Sequence, residues 1–285
     1  MDKHLEQLKE EYLEIPIPPE YDAMVERTLK RKNKQPHFQK WTIGLVAAAA
    51  LFVTTVNVSP QAARAISEVP VIGELVKVVT FTEFKKSDQG TNIDLKTPHV
   101  SGLGDGELQD SLNQKYLAEN KKLYQDFEKE TKGYKNGHLS VESGYEVRTN
   151  NDQILSLGRY KVTTQASAAE EMTYDTVDKK NHVLITLPSL FKNDRYIDVI
   201  SENIKEQMKK QMREDSNKIY WMTKQDTVDP FKKIQPDQSF YINSKGKLVI
   251  SFNEYDVAPG YMGVVEFTIP TSVLKDILVS DMYIH

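Results

Sequence analysis

The chain has 285 residues, no cysteine, and 37 basic against 41 acidic side chains, for a formal net charge of −4. Without cysteine, disulfide staples, thiol catalysis and cysteine metal sites are excluded. The small acidic excess disfavours nucleic acid as a partner and mildly favours a cationic one.

Residues 1–40 open with a helical repeat in which Leu5, Leu8, Tyr12 and Leu13 share one face and Glu6, Lys9, Glu10, Glu11 and Glu14 lie largely on the other. Ile15-Pro16-Ile17-Pro18-Pro19 must end that helix, because successive prolines remove donors and push their predecessors out of the helical region. A second short helix is predicted from Glu20, with Tyr21, Met24, Val25, Thr28 and Leu29 on one face. Forty residues cannot bury two apolar stripes alone. The stripes therefore read either as a docking surface for a basic helical protein or as a membrane-surface or partly disordered tail.

Trp41 to Ala63 then runs for 23 positions without a charged side chain, and Arg27, Lys30, Arg31, Lys32, Lys34 and Lys40 precede it with no acid among residues 27–40. A spanning helix needs about 20 mostly apolar residues, and basic flanks stay in the cytoplasm, so residues 41–63 predict one transmembrane helix running from inside to outside. A cleaved secretory signal shares the basic head, apolar middle and Ala-x-Ala exit. Forty patterned residues ahead of the span favour a signal anchor instead. Ala63-Arg64-Ala65 lies just beyond the apolar core, where Pro60 ends the helix, and places a latent signal peptidase cut between Ala65 and Ile66.

Residues 64–75 read as a tether, with Pro70 and Gly73, and residues 76–285 as an extracytoplasmic domain. Residues 66–285 hold 28 basic and 33 acidic side chains, a net −5. The apolar run from Leu75 to Phe81 predicts a first strand, Ile93 to Val100 a second, and Glu107 to Lys132 a helix closed by Gly133. Period-two alternation from Leu139 to Leu187 predicts three or four antiparallel strands. A long helix is expected from Tyr196 to Trp221, with Ile197, Val199, Ile200, Ile204, Met208 and Met212 available to face inward. Strands follow at Phe240–Asn243, Leu248–Phe252 and Val264–Ile269, and a short helix at Ser272–Leu278. Strands in runs predict an α+β domain, an antiparallel sheet packed on two long helices.

Catalytic signatures are weak. The six histidines, at positions 4, 37, 99, 138, 182 and 285, form no ligand pair at metal spacing. Ser-x-x-Lys occurs at Ser189, Ser244 and Ser272 without companion motifs, and Glu170-Glu171 reads as a solvated acid pair. No cofactor is expected. The loop Tyr255 to Gly263 is apolar for a loop, and Pro259 and Gly260 should hold Tyr261 and Met262 near a rigid tip, either entering a concave partner or packing under the strand ends. The small-residue run Ala166-Ser167-Ala168-Ala169 reads as a flat contact surface, a bulge or a tight bend.

The Pro-rich inner segment at 15–19, the span ending at Ala63-Arg64-Ala65, and the outer runs Leu187-Pro188-Ser189-Leu190-Phe191, Ala258-Pro259-Gly260-Tyr261 and Ile269-Pro270 together give a close resemblance. The chain resembles the family of membrane-bound anti-sigma factors of Bacillus that hold an extracytoplasmic-function sigma factor and sense lysozyme. The outer domain is also similar to one appended to peptidoglycan deacetylases, whose catalytic motif is missing here. The resemblance implies that Leu5, Leu8, Tyr12, Leu13, Tyr21, Met24, Val25 and Leu29 bind the sigma factor inside. It implies that Ala258, Pro259, Gly260, Tyr261, Met262, Ser167, Ala168 and Ala169 bind lysozyme outside. Lysozyme would expose the bond after Ala65 to signal peptidase, and a site-2 intramembrane protease would then cut the span. The alternative reading is a membrane-anchored protein that binds or modifies the cell wall and has no transcriptional role.

Overall fold

The computed structural model describes residues 76–88, 90–132, 138–224 and 229–285. The expected inner helices, span and tether lie outside the described residues. Among the described residues no helix is long and apolar enough to cross a membrane.

The first sheet has six strands in the order β1-β2-β3-β4-β5-β6. These are β1 (Lys77–Asp88), β2 (Thr91–Ser101), β3 (Leu139–Asn150), β4 (Ile154–Thr164), β5 (Ala168–Asp178) and β6 (Val183–Ile185). Helix α1 (Gly106–Thr131) interrupts the run. Asp105 caps it by accepting the Leu108 amide at 3.0 Å, and Glu107 adds an acid to the first turn, where the helix dipole favours it. Because α1 carries the chain back along the sheet, β2 and β3 pair in parallel while the other pairs are antiparallel. That one parallel pair departs from the expected antiparallel sheet.

On α1, Leu112, Tyr116, Asn120 and Phe127 are buried. Their spacing lines one stripe, which meets Val100, Leu155, Leu157 and Val177 at one end and Ile93, Leu95, Leu139 and Val141 at the other. Each large side chain fully removed from water there stabilises the fold by about 1.5–3 kcal/mol.

The second half builds its own sheet, β7 (Phe240–Ile242), β8 (Leu248–Phe252) and β9 (Val265–Ile269), covered by helix α2 (Arg195–Glu214). Tyr196, Ile200, Ile204 and Met208 are its buried apolar residues, and Ile197, Val199 and Met212 pack at the margin. A short α3 (Thr271–Leu274) follows β9. The structure thus replaces one sheet on two helices by two sheets, each with its own helix.

Helix α2 also stops seven residues earlier than expected. The Asn217 amide donates to Asp215 Oδ1 at 2.9 Å, an Asx turn that competes with helical hydrogen bonding. Beyond it the Trp221 amide donates to the Val257 carbonyl at 2.9 Å, so this stretch joins the 253–263 loop rather than prolonging the helix.

The two sheets meet through Ile154 and Ile185, which join the second core, and through polar groups. Thr149 and Ser156 both donate to the Ile242 carbonyl, at 2.8 and 3.1 Å. Glu266 on β9 accepts from Arg148 on β3 at 3.0 Å, Tyr174 on β5 at 2.9 Å and Tyr241 on β7 at 3.0 Å, and the Arg148 guanidinium lies over both tyrosine rings. The layers therefore run α1, first sheet, second sheet, α2.

Candidate partner-binding surface

The loop after β8 is held by reciprocal bonds. The Asn253 amide donates to Asp256 Oδ2 at 2.8 Å and the Asp256 amide donates to the Asn253 carbonyl at 3.0 Å. Tyr255 is forced to φ +69, a region that side chains rarely occupy. Its ring then falls on Gly260, where any β-carbon would collide with it. A single 3₁₀ turn, Gly260–Met262, follows, closed by Met262 and Gly263 amides donating to the Pro259 and Gly260 carbonyls at 2.9 Å each.

Tyr261 is 65% exposed, and its hydroxyl donates to the Asn217 carbonyl at 2.9 Å. The ring is thus presented to solvent yet fixed at its far end. Pro259 and Gly260 are half-buried, Met262 packs against the second core, and Ala258 is buried. Ala258 lies beneath the loop in the second core.

The small-residue run forms the tip of the β4–β5 hairpin. Ser167 and Ala168 are exposed and Ala169 is half-buried. Immediately beyond, the Glu170 amide donates to Glu254 Oε2 at 3.0 Å, the Glu254 amide donates to the Glu170 carbonyl at 3.1 Å, and the Met172 amide donates to Asn253 Oδ1 at 2.7 Å. These bonds cap the outer edge of β5 with Asn253 and Glu254, the start of the loop that carries 258–262, just beyond the hairpin tip at 167–169.

Acids gather where the loop meets β5. Burial, then the charges of Glu254 and Glu146, push the Glu170 carboxyl above its usual range. Burial, opposed by the Asn253 amide, also raises Asp256. Glu170 and Glu171 point to opposite faces of β5, and Glu171 pairs with Lys161 at 2.5 Å, so they do not form a facing carboxylate pair. Sequence reasoning named Tyr255 only as the first residue of the loop and missed Asn217 and Ile219, the last 43% exposed. Asn217 and Ile219 sit where a helix was expected, and nothing in the local pattern ties them to Tyr261.

Elsewhere, His99 lies against Phe81 at the β1–β2 edge, lowered in basicity by burial, and His182 sits in the β5–β6 turn at φ +56, 3.6 Å from Asp105. Among the described residues no three metal-binding side chains converge. The expected cleavage residues Ala63, Ala65 and Ile66 and all eight sigma-binding positions lie outside the described residues.

Comparison with known proteins adds independent findings. Residues 84–163 match the family described as deacetylase PdaC, and residues 188–272 match a family described as protein of unknown function, DUF3298. The boundary between the two matches falls near the boundary between the two sheets. Two solved DUF3298 structures share the fold. One, from Bacteroides fragilis, has a TM-score of 0.53 at 16% identity over 72% of this chain and 94% of that one. The other, from Pseudomonas aeruginosa, has a TM-score of 0.54 at 11% identity over 74% and 96%. The anti-sigma-V factor RsiV of Bacillus subtilis (strain 168) is 53% identical over 286 residues, covering all of both chains.

Proposed function

This chain belongs to the RsiV family of anti-sigma factors, and from that membership we propose that it is a membrane-held anti-sigma factor that releases its sigma factor by proteolysis when the outer domain binds lysozyme. The observation that carries the reading is the identity over the full length of both chains, since it spans the inner segment, the span and the sensor together. It is a regulator rather than an enzyme.

Residues 1–40 hold an extracytoplasmic-function sigma factor through the stripes at Leu5, Leu8, Tyr12 and Leu13 and at Tyr21, Met24, Val25 and Leu29. Residues 41–63 anchor the chain, residues 64–75 carry the signal peptidase site after Ala65, and residues 76–285 sense lysozyme. What supports the outer contact is the exposed ring of Tyr261, fixed at its hydroxyl, on a loop whose first residues, Asn253 and Glu254, are bonded to β5 just beyond the exposed Ser167 and Ala168. Lysozyme is strongly cationic with a concave cleft, and a fixed, exposed aromatic beside carboxylates suits it. Binding exposes the Ala65–Ile66 bond, and a site-2 protease then cuts the span.

The match of residues 84–163 to the deacetylase family favours a second reading, a wall-binding anchor protein without a transcriptional role. The two separate on one experiment. The amino termini of the chain in membranes are sequenced with and without lysozyme, beside sigma-dependent transcription in a strain lacking residues 1–40. A new terminus at Ile66 only with lysozyme, with constitutive transcription in the deletion, supports the anti-sigma reading. An unchanged cut pattern and unchanged transcription sink it.

A further inference from the structure

Helix α1 and the first sheet enclose an open cleft of about 360 Å³, with Asn120 and Ser143 in its lining. The cleft lies where β2 and β3 stop pairing. Their parallel register ends at Leu95 and Ser143, although β2 runs on to Ser101 and β3 to Asn150. Beyond that point α1 supplies side-chain amides in place of the ladder. Asn120 Nδ2 donates to Thr97 Oγ1 at 2.9 Å, and Asn120 Oδ1 accepts from Ser143 Oγ at 3.0 Å. Asn113 accepts the Val100 amide at 2.8 Å and donates to the Val100 carbonyl at 2.9 Å.

Two features set the cleft apart from ordinary packing of a helix on a sheet. Asn120, Thr97 and Ser143 are each more than nine-tenths buried, and the apolar core beneath α1 falls into two clusters on either side of them, one at Tyr116 and one at Phe127. Apolar side chains of similar shape would join the two clusters at little or no cost. A buried polar bridge that interrupts a core and opens on a cleft breaks the packing rule where a binding site would.

The charges around the cleft are also matched among themselves. Arg159 lies over the Tyr116 ring and is bonded to Glu119 and, at 3.0 Å, to Asp175, while Lys161 pairs with Glu171 at 2.5 Å. Lys122 and Asp126 stand one turn apart on α1 with opposite signs, and Lys96 lies opposite Glu83. An ionic ligand would have to break such a pair and leave a charge without its partner. A hydroxyl would not, because it donates to the carboxylate and accepts from the cation at the same time.

We propose that this cleft binds a neutral saccharide of one or two rings, with Asn120 and Ser143 at its base and Arg159, Lys161, Glu171 and Thr173 meeting the sugar hydroxyls. Its volume sits at the lower end of the roughly 300–1,000 Å³ of small-molecule sites. The site stands on the α1 side of the first sheet and rests on neither the loop contact nor the lysozyme reading.

The test titrates the full-length chain in nanodiscs, without lysozyme, with chitobiose and with cellobiose into the millimolar range, followed by saturation-transfer NMR against empty nanodiscs. At least one disaccharide should give a saturable signal, and the zwitterion glycylglycine should give none. Glu171→Gln, on the rim, should weaken binding at least threefold, and Glu206→Gln, on the exposed side of α2, should leave it within a factor of two. Asn120→Leu combined with Thr97→Val and Ser143→Ala removes both partners of each buried bond, so it should abolish binding while the melting temperature stays within a few degrees. If that triple variant does not fold, Glu171→Gln decides alone. No saturable signal from either disaccharide, equal binding of glycylglycine, or equal affinities for Glu171→Gln and Glu206→Gln would overturn the site.

Discussion

The ring of Tyr255 rests on the α-carbon of Gly260, and each residue fixes the other's conformation. Tyr255 pays backbone strain at φ +69 to reach that position, and Gly260 must lack a side chain to receive it. Strain of about 1–3 kcal/mol held in a surface loop, with no catalytic group nearby, is consistent with a loop shaped in advance for a partner.

On the proposed lysozyme contact, Gly260→Ala should therefore cost affinity out of proportion to stability. The new methyl group displaces Tyr255 and, with it, the 3₁₀ turn that carries Tyr261. Affinity should fall at least tenfold in calorimetric titration, while the melting temperature falls by only a few degrees because the loop lies outside both cores. Unchanged affinity would show that the turn does not present the binding residue.

Tyr261 can be dissected in two steps. Tyr261→Phe keeps the ring and removes the hydrogen bond to the Asn217 carbonyl, so affinity should drop only about threefold, as a loss of positioning of about 0.5–1.5 kcal/mol. Tyr261→Ala, alone or with Pro259→Ala, removes the anchor, and a loss of 2 kcal/mol or more is expected of a central aromatic contact, about thirtyfold in affinity. If both single variants match the unmodified chain in titration, Tyr261 is a bystander.

The loop tip at Tyr261 could be read from Pro259 and Gly260, and the β3–β6 run from alternation, because both signals are local. Division into two sheets could not be read, since it depends on which strand faces β7, a long-range choice made by Thr149, Ser156 and Glu266 through hydrogen bonds to distant backbone and side chains. For the same reason Glu170-Glu171 looked like a solvated pair. Only the fold places Glu254 beside Glu170 and sends Glu171 to the other face.

A weakened acid gives the proposed contact a pH signature. Burial and the neighbouring Glu254 and Glu146 charges lift Glu170 above its ordinary value, so in the free chain its ionised form is disfavoured. A cationic partner favours the ionised form, and binding therefore releases a proton when Glu170 is protonated beforehand. Affinity for lysozyme should be steady near neutral pH and decline as pH falls into the upper carboxylate range. Glu170→Gln should flatten that decline. A pH-independent affinity between neutrality and the carboxylate range would remove Glu170 from the interface.

A second pH effect belongs to stability alone. Asp178 is buried, which by itself would raise its carboxyl. It is nevertheless lowered, because the Tyr283 hydroxyl donates to it at 2.5 Å and the Asn181 side chain and the Asn181 and Lys180 amides add donors at 2.7 to 2.9 Å. A folded-state value below the unfolded one means that the stabilisation is complete above the unfolded carboxylate value of about 3.9 and is lost as pH falls through the lowered folded value. Burial, then the Asp178 bond, correspondingly pushes Tyr283 up to about 12. Tyr283→Phe removes one hydrogen bond to a charged acceptor and should cost about 1.5–3 kcal/mol in denaturant melts at pH 7. The same variant should cost much less in acid, once pH has fallen through the lowered folded value and Asp178 is protonated in both states. An equal cost at both pH values would mean that Tyr283 acts through packing alone, and the carboxyl-terminal segment would then be held by Ile284 and its neighbours in the second core rather than by this buried charge.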